Sequence, residues 1–474
     1  MRRDIPTAIA TAANLPDEYR AMVLALMELY QRKLTRNVLR DRYYSMKQAP
    51  RDLGISVPPN LRNLEQVIGW PAKAVDALAN RSQFEGYVCE DEDTADELAA
   101  MATRNGLKRR YRKAVKSELK HSCAFLAVTA DPADPRRPVV SAFPATAAAA
   151  LWSDELNRIR CGMAVVDRDR RANHGDEPTR VDLYTDEAVV TIRRVGEGAW
   201  AAEVAEHKMG RCLMEPLAYE ATLERPFGVS RISRAVMNIT DDAMRASVRS
   251  EVSAEFFTSP QKYLLGADRD ALGDRSKWDA YIGNLFAVSK DGDGDVPQFG
   301  QLSQGSMTPH VEYMRALAAR FAGETDVPLS ELGVVSDNPS SAEAIYAAKE
   351  PLVVCAQNLN ADNGEALTNV ALMSLAVVHD RDFAAEVEAS HGIQARFRNP
   401  AMPSVVSQAD AMTKMVAAIP WLAESDVVLE ELGFTEEQIV RLRSARARSQ
   451  SSAIVAQAIQ GTGLGVAATA ATDD

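Results

Sequence analysis

The chain has few cysteines for its length, only five among 474 residues. They are far apart, odd in number and include no C-x-x-C pair: Cys89, Cys123, Cys161, Cys212 and Cys355. This usage argues against a disulfide framework and a zinc knuckle, and it is typical of a protein made in a reducing cytosol. We expect the thiols to be small buried apolar groups.

Familiar catalytic motifs are missing as well. The sequence contains no Walker loop, no H-E-x-x-H zinc helix and no G-x-S-x-G elbow. The aspartate run at 291–295 resembles the start of a calcium-binding EF-hand loop, but Val296 and Leu302 stand where that loop needs glycine and glutamate. The glycine-rich stretch 461–465 follows no predicted strand, so it is not a dinucleotide fingerprint.

The histidines are not at ligand spacing from one another or from a cysteine. There are six: His121, His174, His207, His310, His379 and His391. Each fits a surface or helix-capping position better than a catalytic one. We therefore expect no catalytic residue, no bound metal and no cofactor, although distant residues could still assemble a site.

No apolar run is long enough to cross a bilayer. The longest runs, at 21–27 and 371–378, fall well short of the roughly 20 residues that a spanning helix needs. The polar start Met1-Arg2-Arg3-Asp4 has no apolar core behind it, so we expect no signal peptide and no membrane partner. The sequence predicts a soluble protein made in the cytoplasm.

Basic residues are fewer than acidic ones in this chain. The chain carries 54 Lys and Arg against 66 Asp and Glu, which gives a net charge of −12. Proteins that grip nucleic acid are normally basic, because phosphate neutralisation supplies most of their affinity. If this chain meets DNA, its charge favours loose contact without sequence specificity.

The N-terminal part is predicted to be helical. Apolar residues recur at helical spacing over 17–44, 61–78 and 97–120, and an acidic break lies at 90–96. On the third helix one side is basic: Arg109, Arg112, Lys113, Lys116 and Lys120. This face is either an ordinary solvated surface, which we favour, or a contact with DNA or an acidic partner.

Residues 121–225 show the alternation and turn residues of strands instead. Val181 and Leu183 alternate with polar residues, as do Val190 and Ile192. A block of strands between helical blocks indicates an α+β fold that is mainly helical, not alternating βαβ units.

The helix predicted at 232–257 has two apolar faces, so both should be buried, either within one chain or against a neighbour. Strands at 263–267 and 281–289, a turn at 291–295 and a return strand at 298–302 follow. A helix at 310–321 then leads to a loop at 322–339. The next helix starts at Ser340, and Pro351 predicts a kink in it.

Several segments together resemble the portal proteins of tailed bacteriophages, in particular those of actinobacterial phages and of a related Bacillus phage. The matching stretches lie at 57–65, 69–78, 225–233, 251–267, 337–345 and 418–424, and they include Gly69-Trp70-Pro71 and Arg225-Pro226-Phe227-Gly228. No single stretch is diagnostic, but their order and spacing are specific. They run from about residue 37 to 445.

The resemblance implies the portal fold, with wing, stem, clip and crown regions. The expected regions are a wing at 1–231 (helices 17–120, strands 121–225), a stem helix at 232–262, the clip at 263–305 and a second stem helix at 306–321. They continue with a channel loop at 322–339, a long kinked wing helix and following segment at 340–399, crown helices at 400–448 and a flexible tail at 449–474.

The resemblance also implies sites and partners. We expect the channel loop to present Glu324, Thr325, Asp326, Val327, Asp337 and Asn338. We expect clip contacts at Lys277, Lys290, Asp291, Asp293 and Asp295. The implied partners are further copies in a ring (a dodecamer in the virion), the terminase large subunit, head–tail adaptors, the major capsid and scaffold proteins, and double-stranded DNA in transit.

Two other functions stay open. One is a different structural phage head protein, such as an adaptor or a capsid-associated subunit, although those are usually shorter. The other is a metal-dependent enzyme acting on DNA, which would need clustered carboxylates around a metal. The portal function, located at one capsid vertex, is the one the sequence favours.

Overall fold

The protein is described by a computed structural model. The described residues are 5–49, 66–169, 177–196, 198–258, 262–265, 296, 298–301, 305–334, 342–401, 405–434 and 436–461. The chain divides into two compact units, Met1–Pro400 and Ala401–Asp474. Helices and antiparallel sheets occupy separate stretches of the first unit, which confirms the predicted α+β class.

The first unit begins with five helices and one short strand. They are α1 Ile5–Ala10, α2 Asp17–Tyr44, α3 Trp70–Ala79, β1 Phe84–Val88, α4 Glu92–Asn105 and α5 Leu107–His121. The prediction of one helix over 97–120 was wrong, because Gly106 has a left-handed φ of 58° and ends α4. The acidic residues from Glu92 onward form the first turn of α4 and not a break.

Strands follow in the stretch where the alternation predicted them, and the described residues there form eight: β2 Cys123–Asp131, β3 Asp134–Pro144, β4 Ala148–Ser153, β5 Arg158–Asp169, β6 Glu177–Tyr184, β7 Ala188–Arg194, β8 Trp200–Glu206 and β9 Met214–Ala218. They form one sheet in the order β4-β5-β6-β7-β8 and another in the order β3-β2-β9. Leu183 pairs with Val190 across β6 and β7, and both are fully buried. The apolar face of α2, including Val23 and Leu26, covers the five-stranded sheet.

The two-faced helix is α6 Arg234–Thr258, and it packs against α7 Thr308–Thr325. Val236 and Ala243 on one face are fully buried, and Val248 and Val252 on the other are 1% and 5% exposed. Both apolar faces are therefore covered within a single chain. Between these helices, β10 Lys262–Leu265 pairs antiparallel with β11 Gln298–Gln301. The strand predicted at 281–289 and the turn at 291–295 lie outside the described residues.

The loop predicted to begin at residue 322 begins later. Helix α7 continues through Gly323 to Thr325, so the first four residues of the expected loop are helical. A short 3₁₀ turn, Leu329–Leu332, follows, and residues 335–341 are not described. A glycine suggested a break, but one glycine costs a helix only about 1 kcal/mol.

The longest helix of the first unit is α8 Ala342–His379, which runs through Pro351. Apolar residues at helical spacing along this helix differ in burial on the two sides of Pro351. Beyond Pro351, Leu352 and Leu359 are buried and Cys355 is partly exposed, whereas before it 46% of Ile345 is accessible. The predicted kink at Pro351 stays a prediction. Helix α9 Phe383–Ala389 and β12 Gln394–Phe397 complete the unit, and β12 pairs with β1.

The second unit is helical over the residues described. It comprises α10 Val405–Ala418, a 3₁₀ turn at Pro420–Glu424, α11 Asp426–Glu431 and α12 Glu436–Gly461. Residues 449–461, which were expected to belong to a flexible tail, lie in α12. Residues 462–474 are outside the described part of the chain.

None of the five cysteines forms a disulfide. Cys123, Cys161 and Cys212 are buried, as expected of small apolar groups, whereas Cys89 and Cys355 are partly exposed. Among the helices described, none combines the length and the apolar character needed to cross a membrane.

Candidate functional site

The stretch 225–233, one of the segments quoted for the resemblance, joins the sheets to α6. It begins with a tight turn in which Thr222 and Arg225 bond to each other through their backbones. Gly228 has φ +64°, and a Cβ there would lie 2.1 Å from the carbonyl oxygen of Tyr219. Only glycine fits this close approach. Phe227 packs between Phe125 and Trp152, at 5.9 Å from each ring.

Arg231 is the central residue of this junction. Its side chain is 6% exposed and makes three hydrogen bonds to three separate parts of the chain. Nε donates to the Ala74 carbonyl in α3 at 2.7 Å, Nη1 donates to the Tyr219 hydroxyl at 2.8 Å, and Nη2 donates to the Thr325 carbonyl at the end of α7. A buried guanidinium is tolerated because its donors are satisfied, and the C-terminal end of a helix favours a cation.

Two serines complete the junction. The Ser233 hydroxyl accepts a hydrogen bond from Val236 N at 3.1 Å, which caps the first turn of α6, and it donates to Glu324 at 3.1 Å. The Ser230 hydroxyl donates to the Lys120 carbonyl and accepts from Ile232 N. The start of α6 is thereby tied to the ends of α5 and α7. Burial raises the pKa of Tyr219, so its hydroxyl stays protonated beside Arg231.

The expected channel-loop residues divide into buried and exposed ones. Thr325 and Val327 are each 1% exposed, and the Thr325 hydroxyl bonds back to the Phe321 carbonyl at 2.8 Å. Glu324 and Asp326 are exposed, and Asp326 has a left-handed φ of 52°. Asp337 and Asn338 lie outside the described residues. Of the four described residues, Glu324 and Asp326 are the ones exposed within a single copy.

The basic residues predicted on one face of α5 include exposed ones and ones that form ion pairs within the chain. Arg109, Arg112 and Lys113 are exposed. Lys116 instead makes an ion pair with Asp76 of α3 at 2.7 Å, and Lys120 makes one with Asp41 of α2 at 2.6 Å. Two of the five predicted contact residues thus connect helices of the same chain, which leaves three free to meet a partner.

His121 takes part in the same arrangement. It is the last residue of α5, as one of the two expected positions (surface or helix cap) allows, but it is only 2% exposed, and its Nε2 lies 3.1 Å from Asp41. Burial would raise the pKa of Asp41, but hydrogen bonds from His121 and Lys120 outweigh it and lower that pKa to about 2. Burial lowers the pKa of His121. Asp41 therefore holds α5 against α2 as an anion.

The expected clip contacts Lys277, Lys290, Asp291, Asp293 and Asp295 lie outside the described residues. Over the residues that are described, no group of three or more His, Cys, Asp or Glu side chains is placed to hold a metal ion. The most perturbed carboxyl, Glu118, is fully buried and receives a hydrogen bond from Asn363 at 2.9 Å, so it belongs to the core.

In the sequence, Arg231 stands out only as one residue of the stretch 225–233, which resembles portal proteins. Its three partners lie 157, 12 and 94 positions away along the chain, so no local pattern marks the junction. The glycine after Phe227 was the available signal, since a glycine beside a turn often marks a close backbone approach.

Known proteins similar to this chain fall into two groups. No protein-family model matches it. By sequence, it is similar to the portal proteins of Mycobacterium phage L5 and Mycobacterium phage D29. Each alignment is 26% identical over 386 residues and covers 79% of this chain and 77% of the relative.

By structure, the chain is similar to chains of gene transfer agent particles. One comes from the virion of a native particle, with a TM-score of 0.44 and 14% identity over 81% of this chain and 89% of that one. Another comes from the neck of a native particle computed with C12 symmetry, with a TM-score of 0.41 and 12% identity over 77% and 89%.

Proposed function

We propose that this chain, which belongs to the portal proteins of tailed bacteriophages, assembles with further copies into a ring at one vertex of the capsid. Double-stranded DNA passes through the ring during packaging and ejection. The observation that carries the proposal is the sequence match to two phage portal proteins over 386 residues, which spans most of both chains.

The proposal assigns regions along the chain. The helices and sheets of 1–231 are the wing, α6 and α7 are the stem, and 263–305 is the clip between them. The loop after α7 faces the channel, with Glu324 and Asp326 accessible within one copy. Helix α8 belongs to the wing and the unit from Ala401 is the crown. The Arg231 junction supports this division, because it fixes both stem helices to the wing.

The partners follow from a role as a conduit. The clip meets the terminase large subunit during packaging and head–tail adaptors afterwards, and the outside of the ring meets scaffold and capsid proteins. The net charge of −12 suits a channel that lets DNA slide, because a strongly basic lining would hold it. The chain performs no catalytic step in this scheme, and the energy for translocation comes from a separate ATPase.

Negative-stain electron microscopy of the purified protein, with light scattering for mass, tests the proposal. We expect particles with a central hole and a mass close to twelve copies. Repeating the measurement with the cognate scaffold protein guards against a ring that needs help to assemble. A monomer or dimer under both conditions would contradict the portal function.

A further inference from the structure

A cleft of about 850 Å³ lies in the first unit between α2 and the stretch that leads into α6. One wall carries three cations of α2, Lys33, Arg36 and Arg40, which share a face because they are three and four residues apart. Leu29, Phe125 and Phe227 add apolar surface to the cleft.

Among the described residues, no Asp or Glu side chain makes an ion pair with any of these three cations. Arg40 donates to the backbone carbonyl of His121 at 3.0 Å and to the Asn37 side chain at 3.4 Å, and its buried Nε has no hydrogen-bond partner among the described residues. In a chain with 12 more acidic than basic residues, three cations grouped this way need an explanation.

Burial and mutual repulsion among these cations change the pKa of two of them, Lys33 and Arg40. Burial and the neighbouring cations Arg36, Arg32 and Arg40 lower the pKa of Lys33. Burial and Arg36 lower the pKa of Arg40 to about 10. An anionic group entering the cleft would relieve this repulsion.

The lining favours a protein segment over nucleic acid. Four carboxylates line other parts of the cleft, interspersed with Arg225, Arg231 and Arg234: Glu220, Glu224, Glu324 and Asp326. They would repel a continuous row of phosphates, whereas a segment with a few carboxylates on one side can avoid them. The apolar surface next to the cations also suits a polypeptide.

A matching acidic segment exists on the same chain. Glu92, Asp93 and Asp96 lie exposed in the first turns of α4 and, among the described residues, bond to no side chain. They differ from their neighbours Asp91, which caps α4 through Thr94 at 2.8 Å, and Glu97, which meets His379 at 3.2 Å. They span about 6 Å along the helix, and the cations of α2 span about 10 Å.

We propose that in the ring the acidic start of α4 from one copy docks into the cationic cleft of the next copy. A ring is built from a repeated contact between two different surfaces of one chain, and these two surfaces have opposite charge. This inference rests on the proposed function, since it requires a ring of identical subunits. Charge pairing of this kind sets the register between neighbours.

A charge-swap experiment on the full chain tests the docking. The cleft variant carries Lys33→Glu and Arg36→Glu, and the helix variant carries Asp93→Lys and Asp96→Lys. Each should raise the protein concentration needed for half-maximal ring formation at least ten-fold, and the chain with all four changes should recover most of the loss. The matched control reverses two exposed cations outside the cleft, Arg104→Glu and Arg193→Glu, and should assemble like the unmodified chain.

Unmodified protein provides a second measurement that no folding defect can obscure. Rings formed from a mixture of ¹⁴N- and ¹⁵N-labelled copies are treated with a zero-length carbodiimide and digested. Mass spectrometry should find mixed-isotope cross-links between Lys33 and Glu92, Asp93 or Asp96. Rings without such a cross-link would contradict the docking.

The outcomes separate this inference from the portal function. Absence of rings from the unmodified chain, with and without scaffold, would overturn both. Normal ring formation by the cleft variant would overturn the docking alone. The docking would also be overturned if the chain with all four substitutions failed to recover assembly, because the cleft would then bind a different segment. Loss of binding to a duplex DNA probe by the cleft variant, with assembly intact, would assign the cleft to nucleic acid instead.

Discussion

Glu118 shows at the scale of one residue how burial changes a carboxyl group. It is 0% exposed at the end of α5, and its described hydrogen-bond partner is the Asn363 amide at 2.9 Å. Burial raises its pKa to about 8, although the bond from Asn363 opposes the change. The folded protein therefore holds this carboxyl neutral at pH 7, whereas the unfolded chain ionises it.

This difference predicts a pH dependence of stability. Because the folded pKa is the higher one, the contribution is complete below about pH 4.5 and is lost as the pH rises through about 8. We expect Glu118→Gln to unfold at higher urea concentration than the unmodified chain at pH 8, with a gain on the order of 4 kcal/mol that falls to below about 1 kcal/mol at pH 5. Urea unfolding at pH 5, 6, 7 and 8 measures it.

Glu203→Gln supplies the control for this prediction, because Glu203 is exposed on β8. It should change stability equally at every pH. If Glu118→Gln behaves in the same way as Glu203→Gln, then Glu118 is ionised in the folded protein and the prediction is wrong.

At the scale of helices and strands, the sequence predicted the bounds of some elements correctly and missed others. Helix α2 and the strands β6 and β7 match their predicted positions, because a regular apolar period is a local property. The break at Gly106 was missed although the pair Asn105-Gly106 is a turn signal. The ion pair between Lys116 and Asp76 could not be predicted, since its partners are 40 positions apart and meet only through the packing of α5 on α3.

Arg231 connects three separate parts of the chain, so its substitution should weaken the packing between them. Lysine carries its donors on one nitrogen, so Arg231→Lys cannot reach Ala74, Tyr219 and Thr325 together. We expect a loss of about 2 kcal/mol in unfolding free energy. Amide hydrogen exchange over 322–327, at the end of α7, should become faster, as measured by mass spectrometry.

Arg104→Lys is the matched control, since Arg104 is an exposed arginine in the last turn of α4. It should leave exchange at the end of α7 unchanged. Equal exchange in the two variants would mean that α7 is held by its own packing on α6 and not by the Arg231 junction.

For the whole molecule, the two units differ in how much apolar side-chain surface they bury. Every large buried core of the described residues lies within Met1–Pro400. In the second unit, Ile439 is the one described apolar residue that is buried, and 72% of Trp421 is exposed. The sequence did not predict this asymmetry, because burial depends on which residues pack together across the fold.

A chain that ends at Pro400 should therefore fold by itself. We expect its thermal unfolding midpoint, followed by circular dichroism, to lie within about 5 °C of the main transition of the full chain, since no large buried core is removed. A chain that ends at Gly333 is the contrasting variant, because it lacks α8, whose Leu367, Val370 and Ala371 are fully buried in the main core. It should show no cooperative transition. Loss of the transition in the chain ending at Pro400 would mean that the helical unit stabilises the first unit directly.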